Sequence, residues 1–197
     1  RDVIVEKQRI IQLDNNNEFK FQKTGRLELK FGIKGNSVYL SKMFYGISYM
    51  EEVVMNTTNK VKITGMEGTF EECMELYNFT LDGFDGSALT SMKNLFFQTS
   101  LYSYEFKNFD TSNVKDVSNM FSACNGLSSF SLKGLDLSSV TDMSYMFSFS
   151  YSLLEFDDTG FEKATQVENM TYMFFGLTSL ERLKLKNFQT SKVKDMS

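Results

Sequence analysis

Side chains able to carry out catalysis are scarce in this sequence. The chain has 197 residues and no histidine, which removes the usual general base and the commonest metal ligand. Cys73 and Cys124 are potential nucleophiles, but a thiol is normally activated by a neighbouring base, and no histidine is present to serve as one. We therefore expect no enzyme activity, no metal site and no cofactor.

Charged side chains form one candidate binding surface. Arg182, Lys184 and Lys186 alternate along one predicted strand, and Glu155 and Asp157 occupy the strand of the preceding repeat. One interpretation is a solvated ladder of cross-strand charge pairs. The other is a contact patch for an acidic partner, in which case replacing the three cations with serine should weaken binding but leave stability unchanged.

Aromatic side chains form a second candidate surface. They flank a recurring phenylalanine, either just after it or just before it: Tyr45, Phe97, Phe149 and Phe175 after, and Tyr145 and Tyr172 before. Aromatic residues are typical anchors of binding interfaces. The same rings could instead pack between neighbouring repeats, and both interpretations stay open.

An internal repeat must position these residues. Segments such as VKDVSNMF, VTDMSYMF and VENMTYMF all end in phenylalanine, and successive phenylalanines lie 25 to 27 residues apart. The anchors of the repeat are Phe44, Phe70, Phe96, Phe121, Phe147 and Phe174. A period of this length is typical of a solenoid, in which each repeat is one coil and neighbouring coils bury a continuous core.

Each coil is predicted to contain a short helix and a short strand, which gives an α/β repeat solenoid. Apolar residues four and one positions before the anchor, at the anchor and three after it share one side of an α-helix. Asp116, Asp142, Asn169 and Asp195 stand where helix N-caps belong. The apolar residues that follow alternate, which indicates a strand with one buried face.

The repeats are expected to occupy residues 25–197 as about seven coils. Leu27 lies 26 residues before Val53 and supplies the seventh strand. Residues 1–24 lack the repeat and are predicted to form an N-terminal β cap, in which two β-prone runs flank a turn at 14–17. The last residues begin another repeat without its anchor, so we expect the array to continue in the parent chain.

The two cysteines occupy the same position in coils that are two apart, three residues after an anchor. Adjacent strands are about 4.8 Å apart, so the two cysteines should lie about 10 Å from each other. A disulfide requires Cα atoms within about 7 Å. We therefore predict that Cys73 and Cys124 are buried, reduced thiols.

Composition argues against two classes of partner. The formal net charge of −4 is the opposite of the basic excess that nucleic-acid-binding proteins show. No run approaches the 18 or more apolar residues of a membrane span, so no transmembrane segment is predicted in this chain.

The motif (D/N)-(T/S)-S-x-V-x-D-M-S-x-M-F, with a period near 26, resembles the BspA-like leucine-rich repeats. The segments at 109–121, 135–147 and 188–197 carry the resemblance most clearly. One departure is the column in which that family often has tryptophan, which here holds Phe84, Phe109, Leu135, Phe161 and Phe188. The resemblance implies a right-handed, leucine-rich-repeat-like stack of coils with a parallel strand ladder. It also implies a secreted or surface-anchored protein, since several such proteins look like adhesins.

Two functions from different classes fit these expectations. The first is a non-catalytic recognition or adhesion module that binds a protein or glycan on a host or neighbouring cell through one face of the solenoid. The second is a structural spacer or assembly element that presents another domain away from the cell surface.

Overall fold

Parallel strands, one from each repeat, form the framework of the fold. The computed structural model describes residues 36–197 except 59 and 133, together with the backbone of the strands Val3–Val5 and Gly25–Phe31. This part of the chain is a parallel β-solenoid of about six turns with almost no helix. The remainder of the predicted cap, including its turn at 14–17, lies outside the described residues.

The strands form three sheets along the stack. In chain order they are β1 Val3–Val5, β2 Gly25–Phe31, β3 Ser37–Tyr39, β4 Met50–Asn56, β5 Lys62–Gly65, β6 Asn78–Asp82, β7 Ser103–Lys107, β8 Ser129–Phe130, β9 Glu155–Phe156 and β10 Arg182–Leu183. The sheet orders are β1-β2-β4-β6-β7, β8-β9-β10 and β3-β5. All these strand pairs are parallel except β1 with β2, which is antiparallel.

The strand register follows the repeat. Val53 of β4 pairs with Phe79 of β6, and Phe79 pairs with Tyr104 of β7. Leu27 pairs with Val53, so the extra strand predicted one repeat before β4 is confirmed. Side chains alternate along a strand, so every second residue points inward. In β6 these inward residues are Phe79 and Leu81, which are fully buried.

The segments around the anchors form stacked turns, and the predicted short helices were wrong. Within a coil, Met43 donates its N–H to the carbonyl of Leu40, three residues earlier. The anchor itself donates to the next coil, from Phe44 N–H to Thr69 carbonyl at 3.0 Å. An α-helix uses its N–H groups for bonds to carbonyls four residues earlier, so a backbone shared between two coils cannot form one. Among the described residues, the only helical element is a 3₁₀ turn at Phe161–Lys163.

Two positions in every anchor segment adopt the left-handed backbone conformation. They lie two residues before and two residues after the anchor, with φ between 53° and 75°: Lys42, Gly46, Gly68, Glu72, Asn94, Gln98, Asn119, Ala123, Tyr145, Phe149, Tyr172 and Gly176. A helix requires negative φ throughout. These two columns of residues therefore interrupt any helix but leave the predicted apolar positions on one buried side.

The anchor phenylalanines form a continuous stack along the core. Neighbouring ring centroids from Phe44 to Phe174 are 5.5 to 6.0 Å apart, and the ring planes agree within 24°. The first five anchors are fully buried, and Phe174 in the last coil is half-buried. Offset stacking at this separation adds to the hydrophobic stabilisation of each ring.

The residues predicted as helix caps cap turns. Asp116 Oδ1 accepts the N–H of Ser118 at 2.8 Å, and Asp142, Asn169 and Asp195 accept the N–H two residues later in the same way. A side-chain oxygen at this position satisfies a backbone donor whether a helix or a turn follows. The described residues contain no helix long and apolar enough to cross a membrane.

Candidate functional site

The charged residues predicted on the strand face lie at the surface, and their geometry matches a cross-strand ladder. Arg182 Nη2 is 3.2 Å from Glu155 Oε1, and β10 places the two residues directly opposite each other. Hydrogen bonds from Thr159 lower the pKa of Asp157, and the nearby charge of Lys184 adds to this effect. Both signs of charge line the shallow pocket of about 380 Å³ over this face, so it offers no purely basic patch.

Asp158 lies two residues after the end of β9, and its side chain binds the next coil. Its carboxylate is buried and accepts the backbone N–H of Asn187 at 2.7 Å and the amide of the same residue at 3.1 Å. Buried polar groups are tolerated when they are hydrogen-bonded in this way. The position is therefore a structural link between coils.

Of the aromatic residues predicted as a surface, Phe97 is half-buried in the coil anchored by Phe96, and the others fall into two groups. Tyr45 lies at the other end of the stack, where its hydroxyl donates to Glu72 at 2.9 Å. The second group forms one cluster in the coils anchored by Phe147 and Phe174, with ring centroids 5.2 to 6.2 Å apart: Tyr145, Phe149, Tyr151, Tyr172 and Phe175. We call this second group the aromatic cluster. Phe149 is 39% exposed and Phe175 is 50% exposed, so these rings do not simply fill space between coils.

A groove of about 690 Å³ runs along one edge of the aromatic cluster. Tyr145, Phe149 and Tyr151 line one end, and Phe97 and Met74 line the other. Between them lies the coil anchored by Phe121, which contributes only small or polar side chains: Asn119, Ser122, Ala123 and Asn125. The groove lies where this coil has smaller residues than Phe97 in the coil before it and than Tyr145, Phe149 and Tyr151 in the coil after it.

The groove is uncharged, and its lining is largely apolar with a few polar side chains between the aromatic rings. No aspartate, glutamate, lysine or arginine is among its lining residues, although 23% of the chain is charged. In the part of the chain that the structure describes, the side-chain amides of Gln98, Asn119 and Asn125 make no hydrogen bond within the protein. Each amide can both donate and accept, so these groups are available to a bound molecule.

The sequence alone did not indicate this groove. Phe97, Phe149 and Tyr145 were singled out as aromatic residues, but Tyr151 and Met74 were not. The signal that would have found the groove is the pair Ser122-Ala123, which lies in the only described coil where both residues directly after the anchor are small.

Three members of the aromatic cluster occupy strained backbone positions. Tyr145, Phe149 and Tyr172 have φ of 57°, 58° and 53°, at columns where other coils place glycine, asparagine, lysine, glutamate, glutamine or alanine. Bulky residues rarely adopt positive φ, at a cost of about 1–2 kcal/mol each. The same conformation recurs at these columns in every described coil, so it is a property of the repeat.

Both cysteines are buried and free, as predicted. The Cys73 thiol donates to the carbonyl of Phe44 at 3.0 Å, and the Cys124 thiol donates to that of Phe96 at 3.1 Å. Thr99 occupies the same column in the coil between them. Burial raises the pKa of each thiol to about 12. Among the described residues, no group of histidine, cysteine, aspartate and glutamate side chains could hold a metal ion.

We expect neither thiol to react with a disulfide reagent in the folded protein at pH 8. The thiolate is the reactive form, and burial keeps Cys73 and Cys124 protonated and out of reach. Titration after denaturation without reductant should find two thiols. Rapid reaction of either cysteine in the folded protein, or no free thiol after denaturation, would contradict this placement.

The stacked coils define a class, a parallel β-solenoid built from a short repeat. The chain belongs to the Mycoplasma protein family of unknown function, DUF285, whose model matches residues 38–159 and 155–197. The two matched segments together span every anchor of the repeat. No curated protein and no solved structure matches the chain.

Proposed function

We propose that this chain is a non-catalytic recognition module that binds a protein or glycan on a host or neighbouring cell through the aromatic face of its solenoid. The observation that carries the proposal is the aromatic cluster, in which five rings contact one another at the surface. Large exposed apolar patches on soluble domains usually mark interaction sites.

The repeat motif supports a secreted or surface-anchored location as part of the proposal. The D-M-S-x-M-F motif resembles BspA-like leucine-rich repeats, several of which look like adhesins. A leucine-rich-repeat-like coil is compatible with one parallel strand for each repeat. A long regular face also suits a binding module, since successive coils present equivalent positions to a partner.

A structural spacer is the alternative, and one observation favours it. Several charges on the solenoid surface are paired from coil to coil, as in Arg182 with Glu155, Lys194 with Glu168, and Lys62 with Asp85. Exposed pairs of this kind contribute little stability individually. They are nevertheless what a regular rod with no dedicated binding surface would show.

The proposal predicts that the aromatic cluster, and not the cationic strand, mediates attachment. We expect the triple variant Phe149→Ser, Tyr172→Ser and Phe175→Ser to lower binding to immobilised host-cell surface and extracellular-matrix extracts by tenfold or more, because aromatic anchors dominate interface energetics. Surface plasmon resonance would measure the loss, and circular dichroism would confirm that the fold is retained.

The matched control changes three exposed cations on the strand face, Arg182→Ser, Lys184→Ser and Lys186→Ser. This variant should keep both its fold and its binding, unless the partner is acidic. If only this control lost binding, the binding surface would be assigned to the charged strand face instead of the aromatic cluster. Failure of the unchanged protein to bind any extract would favour the spacer function.

A further inference from the structure

The groove beside the aromatic cluster has walls two coils apart. Phe97 belongs to the coil anchored by Phe96, and Phe149 belongs to the coil anchored by Phe147. Coils repeat at about 4.8 Å, so the walls are separated by roughly 10 Å. Carbon atoms in contact approach to about 3.5–4.0 Å. The gap between the aromatic side chains of the two walls is therefore wide enough for one saturated ring.

The polar groups of the groove match a ligand rich in hydroxyls. A hydroxyl both donates and accepts hydrogen bonds, and so do the free side-chain amides of Gln98, Asn119 and Asn125. The faces of Phe97 and Phe149 carry the negative end of the aromatic quadrupole. That end attracts the weakly positive C–H groups on the face of a sugar ring. Aromatic walls and free amides together are thus complementary to a carbohydrate.

The absence of charge in the groove further restricts the class of carbohydrate that could bind. A sialylated, uronic or sulfated glycan would bring an anion into a groove that none of its lining residues could neutralise. The volume of about 690 Å³ lies within the range of small-molecule sites and exceeds the size of one sugar ring. A short, uncharged oligosaccharide fits both constraints.

We propose that this groove binds an uncharged glycan, with one pyranose ring held between Phe97 on one side and Tyr145 and Phe149 on the other. This inference rests on the proposed recognition function and specifies its ligand. A peptide segment inserting an apolar side chain is the competing occupant. It would leave the amide of half-buried Asn119 without a partner.

Binding to arrayed oligosaccharides tests the proposal. The probes are uncharged glycans of glucose, galactose, mannose and their N-acetylated amines, with sialylated and sulfated counterparts. The 197-residue protein should bind one or more uncharged glycans in preference to their charged forms. Binding confined to charged glycans, or binding to no arrayed glycan, would overturn the inference.

Two variants test the site, one by removing an aromatic wall and the other by filling the gap. Tyr145→Asn removes one wall and installs the residue that Asn94 and Asn119 already provide at this column. Ala123→Phe fills the gap with a ring at the column where Phe149 already has positive φ. Each should weaken glycan binding at least tenfold and leave the circular dichroism spectrum of the folded protein unchanged. Tyr45→Ala, a change at the other end of the stack, should have no effect on either measurement.

Ala123→Phe also separates the two occupants of the groove. It adds exposed aromatic surface, so it should not weaken a protein partner that docks on the aromatic cluster, but it must block a ring that enters the gap. Undiminished glycan binding by Ala123→Phe would overturn the site assignment. Capture of a protein partner that depends on Phe149, without binding of any glycan, would overturn this inference and leave the proposed recognition function standing. If the protein bound neither a glycan nor a protein partner, both this inference and the proposed recognition function would be overturned.

Discussion

Replacing Phe121 with alanine will lower the free energy of unfolding by about 3–5 kcal/mol. The Phe121 ring is fully buried and stacks between Phe96 at 5.7 Å and Phe147 at 5.8 Å. It also contacts Tyr104 and Phe130 of two strands, with centroids 4.9 and 5.3 Å away. Truncation leaves a cavity on which three coils converge, and stacked turns cannot collapse into it without breaking their intercoil hydrogen bonds.

Urea denaturation followed by circular dichroism would measure this loss. Phe174→Ala is the matched control, because it changes the same column in a coil where the ring is only half-buried. We expect its effect to be clearly smaller than that of Phe121→Ala. A loss below about 1 kcal/mol for Phe121→Ala would mean that the anchor column contributes little to the core.

Replacing Gly83 with alanine is the second change for which we expect a large effect. Gly83 has φ of 77°, and a Cβ at this position would lie 2.1 Å from the carbonyl oxygen of Thr57 in the preceding coil. The backbone strain costs about 1–2 kcal/mol. Forcing two coils apart should add about 1–3 kcal/mol, as for other overpacked sites.

Gly46→Ala separates these two contributions. Gly46 has φ of 69°, but a Cβ there would meet no atom within 4 Å. The Gly46→Ala variant should therefore show only the cost of the left-handed backbone conformation. It should destabilise the protein less than Gly83→Ala under the same denaturation conditions. Equal losses for the two alanine variants would show that the close approach of the coils at Gly83 is unimportant.

Burial in this protein could be predicted from the sequence, whereas the backbone conformation of the anchor segments could not. Residues at the anchor and at one, three and four positions from it share a face in an α-helix, and they also share the buried face of the observed turns. Met66, Phe70 and Cys73 are fully buried as the helix pattern required. The pattern reports which side chains face the core, and two backbone conformations satisfy it equally well.

The positive-φ columns contained a signal against the helix that several coils obscured. Gly46, Gly68 and Gly176 stand in these columns, as expected for a left-handed backbone. Tyr145, Phe149 and Tyr172 occupy the same columns in other coils and conceal the preference. Intercoil hydrogen bonds hold these aromatic residues in a conformation that their local preference disfavours.

The same distinction applies to the candidate site, where the sequence predicted some features and not others. The sequence predicted aromatic residues flanking the anchors and charged residues on the strand face, because both follow from counting positions along a repeat. It did not predict that Arg182 would pair with Glu155, nor that Ser122 and Ala123 would open a gap between aromatic walls. Each of these depends on which residues become neighbours when coils stack.

By itself, the sequence determined the repeat, its anchors, its parallel strands and the burial of its two thiols. These features depend on periodicity and hydrophobicity, and both are written along the chain. Only the tertiary structure decided that the anchor segments are turns and that a groove with uncharged walls crosses one coil. The reason is that about half of the backbone hydrogen bonds in those segments join residues 24 to 26 positions apart, and the walls of the groove come from coils that are farther apart still.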